Sequence, residues 1–313
     1  MTTTQLRIGT RGSPLALAQT RQLRALLAAA LGLEAETLPI EVIPTTGDII
    51  QDRPLSESGG KGLFTKELDV ALIEGRIDLA VHSSKDLPTH LPPQIAIAGY
   101  LPREDVRDAW IGRNGATLDA LPKGAVVGTA SLRRGAQVKR LRPDVSIVLL
   151  RGNVETRLRK VESGEVDGTL LALAGLKRLG LERHATAILP IEDFLPAAGQ
   201  GAIAVTKRAG DARVREALAA ILDPATAAAL AAERAFLTVL DGSCRTPIAA
   251  HAKIIGDKLI GEEIEFHGMA LRADGSAVYE ARRRGPSMDA ALIGDAAANE
   301  ILLRLPNGVA GLT

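Results

Sequence analysis

The sequence contains a single cysteine, Cys244, in the segment Leu-Asp-Gly-Ser-Cys-Arg-Thr-Pro that runs from residue 240 to residue 247. Because Arg245 follows directly and small residues precede it, we expect a thiol that ionises readily and an accessible sulfur. Such a thiol suits a nucleophile or a covalent anchor. A small buried apolar residue and an inert exposed thiol are the alternatives, and the residues alone leave them open.

Positively charged residues recur where a predicted strand gives way to a predicted helix. The clusters are Thr10–Ser13, His82–Asp86, Thr129–Arg134, and Arg151–Asn153 with Arg157. The carboxyl ends of parallel strands share one edge of a sheet, and helix N-termini there expose backbone N–H groups that favour anions. Arginine can also pair with both oxygens of a carboxylate or phosphate. We therefore expect a cleft for a negatively charged ligand, although each arginine alone could be a solvated surface residue.

Asp86 is the carboxylate embedded in the second of these clusters, next to Lys85. Neighbouring cations should keep Asp86 ionised, so that it could hold a cation or accept hydrogen bonds from N–H donors. Taken by itself, the Lys85–Asp86 dipeptide could also be a surface ion pair.

A glycine-rich segment, Ser58–Phe64, resembles a phosphate-binding loop but lacks its spacing. A Walker A loop needs a glycine four residues before its Gly-Lys pair and a hydroxyl residue after the lysine, whereas Leu55 and Gly62 hold those positions. We interpret the segment as a mobile lid over a cleft, with an ordinary flexible loop as the alternative. The predicted lid residues are Gly59, Gly60, Lys61, Gly62 and Phe64.

Composition argues against several other classes of protein. The 38 lysines and arginines nearly balance the 37 acidic residues, and the few aromatic residues show no stacking pattern, so nucleic-acid binding is disfavoured. The five histidines and the cysteine lack the spacing of a transition-metal site, so no metal is expected. The first residues lack an export signal, and we expect a cytoplasmic protein with no membrane partner.

The elements that must position these residues alternate between strand and helix. Ser13 and Pro14 predict the start of a helix that follows a strand at residues 6–9 and runs to Gly32. The pattern then repeats as strand 39–45, helix 64–74, strand 77–82, strand 125–129, helix 132–141, strand 145–150, helix 153–163 and strand 168–174. This alternation indicates an α/β fold with mainly parallel sheets and helices on both faces.

The length of 313 residues and the loop positions indicate more than one domain. Loops at Pro102–Asp108 and near 196–201 predict crossovers between two hinged α/β domains with a cleft between them. A helix at 225–240, strands near 247–255, 263–272 and 277–283, and a helix at 287–304 predict a small α+β domain with an antiparallel sheet. The predicted domains are residues 1–101 with 201–220, residues 106–196, and residues 224–313.

Eight stretches along nearly the whole chain carry a family resemblance. They are IGTRGSPLALAQ (8–19), GGKGLFTKEL (59–68), DLAVHSSKDLP (78–88), VGTASLRRGAQ (127–137), LRGNVETRL (150–158), LLALAGLKRLG (170–180), LPAAGQGAIAV (195–205) and LDGSCRTPIAAH (240–251). In content and order they resemble the porphobilinogen deaminase family, also called hydroxymethylbilane synthase. The resemblance implies two domains like those of periplasmic binding proteins and a third domain that carries the cysteine.

The resemblance also implies an activity. Members of this family are transferases that join four porphobilinogen molecules head to tail, release ammonia and yield the linear tetrapyrrole hydroxymethylbilane for porphyrin and haem biosynthesis. The resemblance implies that Cys244 carries a dipyrromethane cofactor through a thioether and that the product passes to the next enzyme of the pathway. We expect a monomer.

Roles for individual residues follow from the same resemblance. Asp86 is the expected catalytic residue. The expected cofactor-binding residues are Cys244, Ser83, Lys85, Asp86, Thr129, Ser131, Arg133, Arg134 and Lys61. The expected substrate-binding residues are Arg11, Ser13, Arg151, Arg157, Arg178 and Gln200. Because each pyrrole carries an acetate and a propionate, hydroxyls, backbone N–H groups and water must help these cations to bind the carboxylates.

Two other functions would account for some of these residues. A non-catalytic two-lobed anion-binding protein would account for the strand-end arginines but not for Cys244, Asp86 or the lid. A Cys–His hydrolase would need a histidine close to Cys244, and His251 is the nearest one in sequence.

Overall fold

The structure is a computed structural model, and it describes residues 6–49, 62–240, 246–256 and 261–312. The helices are α1 (Pro14–Leu31), α2 (Thr46–Ile49), α3 (Lys66–Ile73), α4 (Leu132–Leu141), α5 (Val154–Glu162), α6 (Leu173–Leu179), α7 (Ala212–Leu218), α8 (Pro224–Val239) and α9 (Ala290–Arg304). The strands are β1 (Ile8–Thr10), β2 (Ile40–Val42), β3 (Leu79–Ser83), β4 (Ile95–Tyr100), β5 (Asp108–Gly112), β6 (Val126–Gly128), β7 (Ser146–Val148), β8 (Gly168–Ala172), β9 (Ala187–Ile188), β10 (Ile203–Arg208), β11 (Ile248–Ile255), β12 (Glu263–Leu271), β13 (Val278–Pro286) and β14 (Pro306–Val309).

The contacts between residues divide the chain into two compact units. Of the described residues, the first unit contains 6–49, 62–104 and 202–227, and the second contains 105–201, 228–240, 246–256 and 261–312. The second unit includes two separate sheets. The division into three domains that the sequence suggests stays a prediction.

Both units contain a five-stranded sheet built on one plan. In the first unit the strand order is β2-β1-β3-β10-β4, and β10 is antiparallel to both of its neighbours. In the second unit the order is β7-β6-β8-β5-β9, and β5 is the antiparallel strand. The remaining neighbours, β2-β1-β3 and β7-β6-β8, are parallel. The prediction of an α/β fold with mainly parallel sheets is therefore confirmed.

The third sheet is antiparallel, in the order β11-β12-β13, and α9 packs on β12 and β13. Phe236 of α8 lies against Phe266 of β12 with ring centroids 5.2 Å apart. Gly294 allows α9 to approach α8 closely, because a Cβ at this position would lie 2.1 Å from the carbonyl oxygen of Ala232. The predicted small α+β region with an antiparallel sheet is confirmed.

Local sequence signals explain the ends of α1. The Oγ of Ser13 accepts a hydrogen bond from the backbone N–H of Ala16 at 3.2 Å, and Pro14 occupies the first helical position. Gly32 ends the helix in the left-handed conformation at φ 66°. Leu23 and Leu27 of this helix pack on Ile8 in the buried core.

Several strands were not predicted from the sequence. They are β4, β5, β9, β10 and β14. The stretches IAIAGY of β4 and IAVTKR of β10 are short apolar runs, which periodicity alone does not separate from helix. Strand β5 begins at Asp108, which the sequence analysis assigned to the end of a crossover loop. Their partners are distant in sequence, so local patterns carry little information about them.

One buried carboxyl group of the first unit has no ion-pair partner among the residues that the structure describes. Asp69 of α3 is 6% exposed, and its Oδ1 has no hydrogen-bond partner. Burial raises the pKa of Asp69 to about 6, although a hydrogen bond with Thr65 acts in the opposite direction. An ordinary aspartate has a pKa of about 3.9.

The raised pKa of Asp69 makes stability depend on pH. Between about pH 4 and pH 6 this group binds more protons in the folded protein than in the unfolded chain, so its contribution to stability falls as the pH rises through this window. We expect Asp69→Asn to be more stable than the parent at pH 7, by up to about 3 kcal/mol in urea unfolding, and to differ little at about pH 4. Glu34→Gln removes an exposed carboxylate of the same unit and should show no such gain. Equal stability of Asp69→Asn and the parent at pH 7 would contradict the interpretation.

Candidate active site

Three neighbouring parallel strands of the first unit are each followed by a charged residue. Arg11 follows β1 directly, Asp48 lies in α2 after β2, and Asp86 lies in the short turn Ser84–Asp86 after β3. Because β1 lies between β2 and β3, Arg11 stands between two carboxylates that come from the flanking strands. The parallel arrangement thus brings one cation and two anions to a single edge of the sheet.

The contacts of Arg11 with the two carboxylates are unequal. Its Nε and Nη2 donate to Oδ2 and Oδ1 of Asp48 at 3.1 and 2.5 Å, whereas its Nη1 donates to Oδ2 of Asp86 at 3.4 Å. The Phe64 ring covers the guanidinium, with 4.0 Å from Cζ to the ring centroid. Burial acts to lower the pKa of Arg11, but hydrogen bonds and charges of Asp48 and Asp86 outweigh it and raise that pKa. Arg11 therefore stays charged.

The other predicted residues of the first unit lie close to this edge. Ser13 caps α1, and Ser83 at the end of β3 exchanges hydrogen bonds with Gln19 at 3.0 and 3.1 Å. Lys85 is half-buried in the turn that contains Asp86. Gly62 has φ 86°, which favours glycine. Four predicted residues, Gly59, Gly60, Lys61 and Cys244, lie outside the described residues.

In the second unit the predicted residues also follow neighbouring parallel strands. Thr129 and Ser131 come after β6, and Ser131 caps α4 by accepting from the Arg134 N–H at 3.4 Å. Arg151 follows β7, and Nε of Arg157 donates to the carbonyl of Gly152 at 2.9 Å. The helix after β8 carries Arg178, whose Nη2 donates to the carbonyl of Gly201 at 2.7 Å.

A buried ionic cluster joins Arg133, Arg134 and Gln200 through Asp108. Nη2 of Arg133 and Nη2 of Arg134 donate to the Asp108 carboxylate at 2.8 and 2.7 Å, and Nε2 of Gln200 donates to it at 3.0 Å. The carbonyls of Leu195 and Leu170 accept further hydrogen bonds from the two arginines. The carboxylate is fully buried, and the two arginine side chains are 5% and 7% exposed.

This cluster is richer in positive than in negative charge. Two guanidinium groups share the carboxylate of Asp108, and Nε of Arg133 is buried without a hydrogen-bond partner. Burial lowers the pKa of Arg133, and the attraction of Asp108 offsets only part of that effect. A carboxylate ligand near Arg133 would supply the missing acceptor and the missing negative charge.

Two residues of this site were missed by the sequence analysis. Asp48 follows the predicted strand 39–45 just as Arg11 follows the first strand, so the strand-end rule could have found it. Asp108 carried no such signal, because it stood at the end of a predicted loop. Its role depends on pairing between β5 and β8.

Each unit by itself has features that suit an enzyme acting on a small molecule with acid groups. Strand ends carry guanidinium and hydroxyl groups in both units, and the first unit adds the ammonium group of Lys85 and the partly exposed carboxylate of Asp86. Residues 6–216 match the family model described as the dipyrromethane cofactor binding domain of porphobilinogen deaminase. Residues 227–303 match the C-terminal domain of the same family. The chain belongs to the porphobilinogen deaminase family.

Curated relatives agree with this assignment. Porphobilinogen deaminase of Nitrobacter winogradskyi is 56% identical over 294 residues, which are 94% of this chain and 92% of the relative. Porphobilinogen deaminase of Nitrobacter hamburgensis is 55% identical with the same coverage. Among solved structures, a periplasmic binding protein of Salmonella typhimurium matches 71% of this chain and 93% of its own at 12% identity and a TM-score of 0.37. In the described ranges, no helix has the length and apolar character needed to cross a membrane.

The Asp108 cluster predicts a large loss of stability when its carboxylate is neutralised. Asp108→Asn would leave two buried guanidinium groups without a counter-charge, which costs about 3–5 kcal/mol. Urea unfolding of the purified variant measures this loss. Asp144→Asn is the matched control, because it removes the carboxylate partner of another arginine, Arg142, at a more exposed position. The control should change stability little, and an Asp108→Asn variant as stable as the parent would contradict the structural role of the cluster.

Proposed function

We propose that the protein adds four porphobilinogen molecules head to tail to a dipyrromethane bound covalently at Cys244. Water then cleaves the bond between the cofactor and the first ring added, which releases hydroxymethylbilane and supplies its hydroxyl group. The transferase activity follows from membership of the porphobilinogen deaminase family. The observation that carries the proposal for the site is the partly exposed carboxylate of Asp86, which lies beside Arg11 at the edge of the first sheet.

The donor groups of both units suit a ligand with several carboxylates. Each pyrrole of the cofactor and of the substrate carries an acetate and a propionate, and guanidinium groups pair with such groups through two parallel hydrogen bonds. The positive excess at Arg133 and Arg134 and the unpartnered Nε of Arg133 fit an anionic side arm. We assign Ser83, Lys85, Thr129, Ser131, Arg133, Arg134 and Lys61 to cofactor binding.

The cofactor would be held through a thioether at Cys244. When bound, dipyrromethane supplies the pyrrole carbon to which the first substrate is joined. In the sequence, Gly242 and Ser243 precede Cys244 and Arg245 follows it, which favours an accessible thiolate. The chain contains no second cysteine that could take this role.

Asp86 is the proposed catalytic residue. In each condensation the substrate loses ammonia as its C–N bond breaks, a C–C bond forms to the growing chain, and the attacked ring carbon gives up its proton. The Asp86 carboxylate stabilises the positive charge that develops on the substrate ring and accepts hydrogen bonds from pyrrole N–H groups. It also assists the transfer of the proton from the ring carbon.

Substrate carboxylates are bound by residues of both units in this proposal. They are Arg11, Ser13, Arg151, Arg157, Arg178 and Gln200. Gln200 acts mainly through Asp108, because its amide Nε2 already donates to that carboxylate and to the Val106 carbonyl at 2.8 Å. We further propose that the protein is a cytoplasmic monomer whose product passes to the next enzyme of the pathway.

The covalent link is tested by the intact mass of the purified protein. The parent should exceed its sequence mass by one dipyrromethane that only cleavage of a covalent bond releases. Cys244→Ser should have the bare polypeptide mass and no activity, because serine cannot form the thioether. An active parent with the bare mass, or an adduct retained in Cys244→Ser, would refute the anchor.

The role of Asp86 is tested by Asp86→Asn, which keeps the shape of the side chain but removes its charge. We expect the variant to fold normally and turnover to fall at least about 10²-fold, the lower range for a general acid or base. Steady-state kinetics and circular dichroism measure the two properties. Asp289→Asn, a substitution at the start of α9, is a control that should keep normal turnover. Turnover of Asp86→Asn close to that of the parent would remove this residue from the mechanism.

A further inference from the structure

Arg11 is shared between two carboxylates, and the less strongly bound of the two is the proposed catalytic group. Asp48 accepts two hydrogen bonds from Arg11, at 3.1 and 2.5 Å, while Asp86 accepts one at 3.4 Å. Two parallel N–H···O bonds between arginine and a carboxylate are shorter and stronger than one long contact. The positive charge of Arg11 is therefore mainly compensated by Asp48.

Asp48 is held in this position by two hydrogen bonds with Thr45. Its Oδ2 accepts a hydrogen bond from Oγ1 of Thr45 at 2.7 Å, and its backbone N–H donates to the Thr45 carbonyl at 3.0 Å. The Thr45 side chain is buried. Burial acts to raise the pKa of Asp48, but the hydrogen bonds from Arg11 and Thr45 outweigh it, and the pKa lies below its ordinary value. Asp48 therefore keeps its negative charge at neutral pH.

Phe64 limits how Arg11 can respond if Asp48 is lost. The centroid of its ring lies 4.0 Å from Cζ of Arg11, so the ring blocks movement of the guanidinium in that direction. Gly47 allows this ring to lie close, because a Cβ at position 47 would lie 2.3 Å from Cε1 of Phe64. Asp48 contacts the Nε and Nη2 atoms of this group, and Asp86 contacts its Nη1 atom.

We propose that Asp48 is a positioning residue that keeps Arg11 from forming a full ion pair with Asp86. A carboxylate already neutralised by a two-bond arginine pair is a weaker base and stabilises a developing positive charge less well. By holding the Nε edge of Arg11, Asp48 leaves Asp86 with a single long contact and thus with its charge available. This proposal rests on the catalytic role of Asp86 proposed above.

The test compares Asp48→Asn and Asp48→Glu in the cofactor-loaded enzyme with porphobilinogen as substrate. Asparagine removes the charge that holds Arg11, so we expect kcat to fall about tenfold, the effect of one charge-assisted hydrogen bond. KM should change less than about threefold, because Arg11 remains near the substrate with a carboxylate partner. Glutamate retains the charge, so kcat of Asp48→Glu should stay well above that of Asp48→Asn.

A structure of Asp48→Asn supplies a measurement that does not depend on activity. We expect both Nη atoms of Arg11 to lie about 3 Å from the Asp86 carboxylate. Glu41→Gln is the matched control, because it breaks an exposed pair with Arg76 in the same unit and does not touch Arg11. Its kcat should equal that of the parent.

Three results would overturn the role of Asp48. They are a normal kcat in Asp48→Asn with an unchanged KM, a normal kcat with a raised KM, and an unchanged contact between Arg11 and Asp86 in the variant structure. None of them bears on Asp86→Asn, whose loss of turnover tests the proposed function separately. If Asp86→Asn is inactive while Asp48→Asn is normal, only the positioning role is wrong.

Discussion

Gathering positive charge at the edge of a sheet costs free energy unless each cation keeps a partner, and this constraint organises the site in both units. In the first unit Arg11 is held by Asp48 and Asp86. In the second unit Arg133 and Arg134 share Asp108 in a buried cluster. The pairing is incomplete at Arg133 and Arg134, where two guanidinium groups share one carboxylate, and this leaves capacity to bind a carboxylate of a ligand.

Sheet topology is the means by which these partners meet. In both units three adjacent parallel strands carry the polar residues at their carboxyl ends, and an antiparallel strand lies next to them. That strand is β10 in the first unit, where the chain returns to the unit at residue 202, and β5 in the second, where the chain enters at residue 105. In the second unit the entering strand begins with Asp108, which brings the counter-charge to the arginines. In the second unit, the strand with which the chain enters therefore also supplies the negative charge that balances the two arginines.

The buried charged groups fix the geometry of the site, but they contribute little to the stability of the fold. A buried carboxylate between two arginines contributes little net stability compared with an apolar core, but it fixes the direction of the guanidinium groups. Asp69 shows the cost of a buried carboxyl group without a cation, since burial raises its pKa to about 6. The carboxylates of the site differ from Asp69 because each of them accepts a hydrogen bond from an arginine.

The sequence by itself determined the features that depend on near neighbours. The Ser13–Pro14 start of α1, the Ser131 cap of α4 and the strand-end positions of Arg11, Asp86 and Arg133 follow from patterns a few residues long. The tertiary structure decided which charges meet. Asp48 reaches Arg11 because β2 pairs with β1, and Asp108 reaches Arg134 because β5 pairs with β8. Strand pairing depends on contacts between distant parts of the chain, and a local pattern does not encode them.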